Sequence, residues 1–386
     1  MREGDAVVAR GPADGCRLAW MAMNSSGYAS SLRRELAMRN RAYARGRAHV
    51  ESYGGDPVIV YAPEHPTDED LSVGTPPEHP TDEDLSVGCR HRSPRHGNFF
   101  DPAYRAIVAR ADWASRFNKV HAQGRALPKW TEDPQRKWRE LDSCMSSDAL
   151  LMNVFCTPGV ADSAAVRRML GVETEALPEF GWKAKVGLKS GLFDRTEVDM
   201  RWGGLLVEAK LTEGDFQTRK AEIVEAYRDF DEVFDRELLP RVEVVTVRRK
   251  AAVELHEEFS QEWEDTAGLS ADEAGAIAGE FQAGLVAEAE ERAPREVRYE
   301  GYQLIRNVLA AHAAGASFCV ICDERRPDLR EAWFAVMRAV RAAELRTRLK
   351  VLTWQELAGV LPGGVREFLE VKYGIGMPGA RRAGPA

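Results

Sequence analysis

Two carboxylates and a lysine lie close enough in this chain to do chemistry together: Asp199 and Glu208-Ala209-Lys210, in the stretch FDRTEVDMRWGGLLVEAKLTE. Gly203-Gly204 reads as a two-residue primed turn, the usual connection of a right-twisted hairpin. It sets Trp202 against Leu205, Arg201 against Leu206, Met200 against Val207 and Asp199 against Glu208. Cross-strand neighbours have Cβ atoms roughly 4.5 to 5.5 Å apart, and like charges so placed are destabilising unless something positive sits between them. A hard divalent cation removes that penalty. Side chains alternate along a strand, so Lys210 shares the face of Glu208 and has Glu197 across the hairpin. An acidic patch with one ammonium beside it suits phosphodiester hydrolysis, in which carboxylate-held Mg²⁺ activates water and neutralises charge on the phosphate. Lys210 could position that water, relay its proton or steady the phosphate, and the backbone carbonyl of Ala209 could complete the metal shell.

An acid-x-Lys tripeptide alone says little, since the same letters in the same chain can mean a charged outer face. Glu370-Val371-Lys372 shows this. It lies in GGVREFLEVKYGI, where apolar residues at 365, 368, 369 and 373 recur at helical spacing, and it reads as a solvated helix edge. What separates Asp199, Glu208 and Lys210 from such a case is the hairpin and the elements around it. LDSCMSSDALLMNVF predicts a helix entered through Ser143 or Ser146, with Asp148 in or near its first turn. GWKAKVGLK predicts a first strand, the hairpin a second and third, and DFQTRKAEIVEAYRDFDEVFDREL a long amphipathic helix. YEGYQLIRNVLAAHAA then reads as a helix, ASFCVIC as a buried strand, LREAWFAVMRAVRAAELR as a helix and RLKVLTW as a last strand, closed by ELAGVL and VREFLEVKY.

These residues resemble the PD-(D/E)XK nuclease superfamily, whose signature is an acid, a hairpin turn, then acid-x-Lys on the next strand. SSDALLMNVF, TEVD, LLVEAKLTE, YQLIRNVLAAH, DERRPDL and FLEVKYGI together are similar to a group of largely uncharacterised bacterial restriction endonucleases. The resemblance covers roughly residues 97–377. It implies an α/β fold with a restriction-endonuclease-like core (α-β-β-β-α-β), a central mixed sheet flanked by helices, and a DNA endonuclease using Mg²⁺ or Mn²⁺. Asp199, Glu208 and the Ala209 carbonyl would bind the metal, Lys210 would handle the water, and Glu197 would hold Lys210 or a second metal. Asp148 is the candidate for the acid that the first core helix often adds, with Asp142 or Glu140 as substitutes and helix capping as its other reading. Gln303 falls where some members place a polar residue beside the lysine, or else belongs to a solvated stripe with Arg306. Arg325 and Arg326 either touch phosphate or form a loop ion-pair network, the latter being the plainer reading.

The 386 residues are 44% hydrophobic, enough for a real core, and carry a net charge of -8, so a nucleic-acid site has to be local. Between Cys89 and Glu140 twelve Arg or Lys stand against five acids. Arg116, Lys119, Arg125, Lys129, Arg136 and Lys137 are the candidate DNA contacts, and the interleaved Phe99, Phe100, Tyr104, Trp113, Phe117, Trp130 and Trp138 suit either base stacking or a helix core. Residues 251–294 hold twelve acids and one base, and should face away from DNA unless they bind a basic partner or mimic DNA. PEHPTDEDLSVG occurs at 63–74 and again at 77–88, an acidic, proline-bearing duplication expected in a linker without structure of its own.

The expected organisation is an N-terminal extension over 1–61 with a helical stretch and a strand-like PVIVYAP, the linker over 62–96, and the nuclease-like domain over 97–377. That domain carries an acidic helical insertion at 241–294, and a tail follows at 378–386. Six scattered cysteines fit reduced thiols, with Cys319 and Cys322 pointing to opposite faces of one strand and Cys89, His91 and His96 lacking a zinc spacing. No apolar run is long enough to span a bilayer, and a cytoplasmic protein is expected. DNA, taken as double-stranded, is the expected partner. A homodimer, an exonuclease or RNA-processing enzyme, and a catalytically silent binding module stay open.

Overall fold

The hairpin turning at Gly203-Gly204 forms the middle of a five-stranded sheet in the computed structural model. The structure describes residues 6–10, 15–52, 57–64, 95–121, 137–195, 197–247 and 295–377. Numbered within this sheet, β1 is Glu179–Lys183, β2 Glu197–Trp202, β3 Leu205–Ala209, β4 Ser317–Cys322 and β5 Leu349–Thr353. They lie in the order β5-β4-β3-β2-β1. β2 runs antiparallel to both its neighbours, β1 and β3, while β3, β4 and β5 are parallel, so the sheet is mixed as expected. At the turn only Gly203 has positive φ, +58°, the pattern of a II′ turn, and a Cβ there would meet Thr174 Cγ2 at 2.7 Å.

Helices cover both faces: α1 (Gly15–Tyr43), α2 (Asp101–Val108), α3 (Ser147–Phe155), α4 (Tyr302–Ala314), α5 (Pro327–Arg338) and α6 (Gly363–Tyr373). Val207, Cys319 and Ile321 pack with Leu150, Leu151 and Val154 of α3, Leu369 of α6 and Leu32 and Leu36 of α1. Leu206, Val320 and Cys322 pack on the other side with Leu304 and Val308 of α4 and Trp333 of α5. Cys319 and Cys322 therefore do face opposite layers, and the four described cysteines, 144, 156, 319 and 322, are free. α3 begins where serine chemistry predicts, with the Ser146 hydroxyl accepting from Ala149 N–H at 3.1 Å.

Several expectations fail for tertiary reasons. The long helix expected in DFQTRKAEIVEAYRDFDEVFDREL is a strand, Thr218–Lys220, followed by two single turns, Ala221–Val224 and Phe230–Val233. Backbone groups at the break are engaged elsewhere: Arg228 N–H donates to Gly187 and Lys189 N–H to Ala226. The helix expected over LREAWFAVMRAVRAAELR likewise ends at Arg338, where Val340 bridges to Phe234, and resumes at Ala343–Thr347. Arg241–Val247, the start of the expected acidic helical insertion, is a strand in a second sheet, pairing with Ala6–Arg10 and Arg295–Glu300. Residues 251–294 and the duplicated segment's second copy lie outside the described residues, as do Cys89 and His91. His96 is buried against Asp142, Nε2 to Oδ1 3.2 Å. The aromatic run is core rather than stacking platform: Phe99, Tyr104 and Trp113 form one buried cluster with Phe117 against it, and Trp138 is buried, while Trp130 lies outside the described residues.

Lys372 is the largest departure from periodicity. The expected solvated edge holds for Glu370 and Val371, but Lys372 is fully buried and its Nζ has no hydrogen-bond partner. The ring of Tyr373 lies 4.1 Å away, that of Tyr61 5.2 Å and that of Tyr43 5.9 Å. α1 and the strand Ile59–Tyr61 cover this side of α6, which helical spacing within α6 cannot reveal. Burial pushes the Lys372 amine down to about 7 from its ordinary 10.5. Its stabilising contribution is thus present above pH 10.5 and lost as pH falls through about 7. Lys372→Met is expected to be more stable than the wild type at neutral pH by on the order of 2 kcal/mol in urea denaturation. Equal or lower stability would show that the three rings hold the ammonium.

Candidate active site

Lys210 and Glu208 emerge from β3 onto the layer formed by α4, and both are nearly inaccessible, 5% and 2% exposed. Two charges so deeply buried need every contact satisfied. Lys210 Nζ lies 2.8 Å from Glu208 Oε1 and donates to Gln303 Oε1 at 3.0 Å, while Asn307 Nδ2 donates to Glu208 Oε2 at 2.8 Å. Gln303 and Asn307 are one helical turn apart, so a single face of α4 holds both members of the acid-x-Lys pair. The backbone of Lys210 is fixed as well, its N–H on the Ile321 carbonyl at 2.8 Å and its carbonyl accepting from Trp354 Nε1 at 3.0 Å. Burial works against the ammonium, but the charges of Glu208, Glu213 and Asp199 outweigh it and hold the Lys210 pKa above its ordinary value.

Asp199 reaches the site differently from the simple register. The β2–β3 ladder runs over Leu205↔Trp202, Leu206↔Arg201 and Met200↔Val207, as the turn predicts, and then stops. Beyond it the Asp199 carboxylate takes a backbone donor itself, Oδ2 accepting from Ala209 N–H at 2.8 Å. Alternation breaks at the same place, since Met200 and Trp202 pack on the α3 side and Val198 on the α4 side. The hairpin opens here, leaving Asp199 between the two layers. Burial, then the charge of Glu208, then that of Asp148 push the Asp199 carboxyl well above its ordinary value.

Glu197 does not hold Lys210. It belongs with Asp148 to a second charge cluster, in which Arg116 and Lys119 each bridge the two acids. Asp148 Oδ2 accepts from Arg116 Nη2 and Lys119 Nζ, both at 2.8 Å, and Glu197 Oε1 lies 3.1 Å from Arg116 Nη1 and from Lys119 Nζ. Arg116 is 9% exposed and lies on the backbone of Gly181, where φ is +64° and a Cβ would come within 1.9 Å of Nη1. Burial opposes ionisation of Asp148, but the two cations prevail and hold its carboxyl below the ordinary value. Of the expected DNA contacts, Arg116 and Lys119 are thus turned inward onto acids, Lys137 is exposed, and Arg125, Lys129 and Arg136 lie outside the described residues.

Arg306 donates to the Glu197 carbonyl at 3.4 Å and lies over the Tyr302 ring, so it does not share Gln303's role. Arg325 and Arg326 form the expected ion-pair network with Asp323 and Asp328. Arg326, fully buried, also donates to the carbonyls of Leu211, Glu213 and Gly214 and so clamps the turn that follows Lys210.

Sequence reasoning missed Asn307 and Glu213. The first stands four residues after Gln303 on a helix, a signal that was readable. Glu213 lies in an irregular turn with no period; its carboxylate accepts from Ser147 Oγ at 2.5 Å and from Leu211 N–H at 2.6 Å.

The donor set at Asp199 and Glu208 is all oxygen, which suits Mg²⁺ or Mn²⁺. Among the described residues no group of three or more His, Cys, Asp or Glu side chains is arranged to hold a metal. Mg²⁺ needs only one or two carboxylates with water, and two observations favour a cation: the Asp199 carboxyl is buried beside the acids Glu208 and Asp148, and the buried Asn307 Oδ1 beside Glu208 has no partner within the protein.

Residues 39–374 match the family described as Restriction Endonuclease associating with ARP. The chain belongs to that family. Membership in a restriction-endonuclease family points to a nuclease, and it covers α2 to α6 together with every residue of both charge clusters. No curated protein and no solved structure matches the chain. Among the described residues no helix is long and apolar enough to cross a membrane.

Glu140 lies beside the second cluster, its N–H donating to the Lys119 carbonyl at 2.9 Å. Burial, and next the charge of Asp148, raise its carboxyl from 4.5 to about 7. The neutral acid is the form that folding favours, so its contribution is fully present below pH 4.5 and lost as pH rises through about 7. Glu140→Gln is expected to remove that loss and to exceed the wild type in stability at about pH 8 by on the order of 2 kcal/mol, the gap closing at about pH 5. Urea denaturation at both pH values decides it; a gap independent of pH would count against the assignment.

Proposed function

We propose that this protein is a metal-dependent DNA endonuclease on a restriction-endonuclease-like core, hydrolysing phosphodiester bonds in duplex DNA. The observation that carries the reading is the clamp of Lys210 and Glu208 between Gln303 and Asn307, with Asp199 brought beside them where the hairpin opens. Succession of helix, three antiparallel strands, helix and parallel strand over α3, β1 to β3, α4 and β4 supports the core assignment. Family membership supports the nuclease class, and the family's description also speaks of association with ARP.

Asp199, Glu208 and the Ala209 carbonyl would hold Mg²⁺ or Mn²⁺. When bound, that ion supplies Lewis-acid polarisation of the phosphate and a water of lowered pKa. The charges of Glu208, Glu213 and Asp199 outweigh burial and hold the Lys210 pKa above its ordinary value, which favours the ammonium form. Lys210 therefore serves as a fixed donor and point charge toward water and phosphate rather than as a general base. Gln303 and Asn307 keep the two side chains from rotating away, and burial excludes bulk water from their contacts.

Asp199→Ala and Lys210→Ala are each expected to abolish metal-dependent nicking or cutting of supercoiled plasmid, a loss of at least about 100-fold, while circular dichroism shows the fold retained. Activity surviving in both folded variants would remove the site assignment. A wild type that binds duplex DNA without cutting it under any Mg²⁺ or Mn²⁺ condition would favour a binding module instead.

A further inference from the structure

Asp148 and Glu197 are acids close to Asp199 that could recruit a second divalent ion, and each already faces two cations of the chain itself, where Glu208 faces one, Lys210. Glu197 lies two residues before Asp199 on β2, and the charges of Asp148 and Arg116 are both felt at Asp199 or by it. Paired metals in nucleases sit about 3.5–4 Å apart and draw on shared carboxylates. Here those carboxylates make four contacts of 2.8 to 3.1 Å to Arg116 and Lys119. Arg116 has no room to retreat. It is 9% exposed, stacked over Gly181 at a spot where even a Cβ would collide, and its Nε is buried without a partner, so the guanidinium is held by shape and by its two acids. Lys119, on the exposed side of the cluster with 36% of its side chain accessible, has its ammonium between the same two acids.

We propose that the active site takes a single divalent ion, at Asp199 and Glu208, and that Arg116 and Lys119 are a built-in cation pair occupying the place of a second. Two unit charges replace one divalent charge, and as side chains they cannot be diluted away or chelated. An incoming divalent ion would have to break four charge-assisted contacts, two of them to a buried arginine, and leave both cations without acids. The inference rests on the metal-nuclease reading of Asp199 and Glu208 and adds the number of ions and the role of the two basic residues.

The test counts bound metal, without DNA and without turnover. Mn²⁺ titrated into the full chain is followed by the loss of the free-ion signal in electron paramagnetic resonance. The wild type is expected to bind one Mn²⁺ per chain and Asp199→Ala none. Arg116→Met/Lys119→Met, which uncovers Asp148 and Glu197, is expected to bind two. Should that variant fail to fold, Lys119→Met alone, which leaves Arg116 in place, is expected to gain a second, weaker binding event that the further change Asp148→Asn removes. Two ions in the wild type, or no second ion in the folded variants, would overturn the proposal while leaving the metal reading intact. No ion in the wild type would overturn the metal reading and this proposal with it.

Discussion

A lysine and a glutamate buried side by side set the terms for the rest of this structure. Taking two charges out of water is costly, and the cost is offset only when each is paired and hydrogen-bonded to completion. Lys210 and Glu208 meet that condition through an arrangement no single element could supply. β3 sets the two residues on one side of the strand, α4 offers Gln303 and Asn307 one turn apart, and β4 and Trp354 fix the Lys210 backbone. β3 must therefore be central, with a neighbour on each side and a layer on each face, and all five of its residues are buried.

The two charge clusters divide the labour by how they are compensated. Asp148 and Glu197 are neutralised by Arg116 and Lys119, and their carboxyls are held low. Asp199 Oδ2 instead accepts from the Ala209 backbone N–H, and burial with the charges of Glu208 and Asp148 outweighs Lys210 and drives its carboxyl up. Geometry decides this difference. Where the β2–β3 ladder stops, Asp199 turns into the gap between the layers, toward Glu208, whereas Glu197 lies toward the segment carrying Arg116. The carboxyl that burial and like charges push upward is thereby Asp199, beside Glu208, and not the pair held by Arg116 and Lys119.

Outer parts of the chain act on the same point from a distance. Arg326 on the loop before α5 takes carbonyls from the turn carrying Glu213, and Arg33 of α1 donates to the Thr212 carbonyl at 2.8 Å. The turn after Lys210 is thus held from two sides. Residues before 62, expected to form an extension, put Leu32, Leu36, Ile59 and Tyr61 into the same core as α3 and α6.

Local chemistry made the centre legible. Gly203-Gly204 dictates a hairpin register that holds for three pairs, Ser146 marks the start of α3, and period-two and period-3.6 patterns locate β4, β5, α4 and α6, because each depends on neighbours a few residues away. What the sequence by itself determined was therefore the hairpin, the acid-x-Lys pair and most core elements. Tertiary structure alone decided the partners of each charge. Arg116 and Lys119 read as a DNA face and are turned onto Asp148 and Glu197, 29 residues away in the nearest case. Lys372 has the pattern of a surface residue and is buried by α1 and a strand some three hundred residues earlier. A side chain's charge and period say only that it wants company or solvent; which of these it finds depends on segments folded against it from elsewhere in the chain.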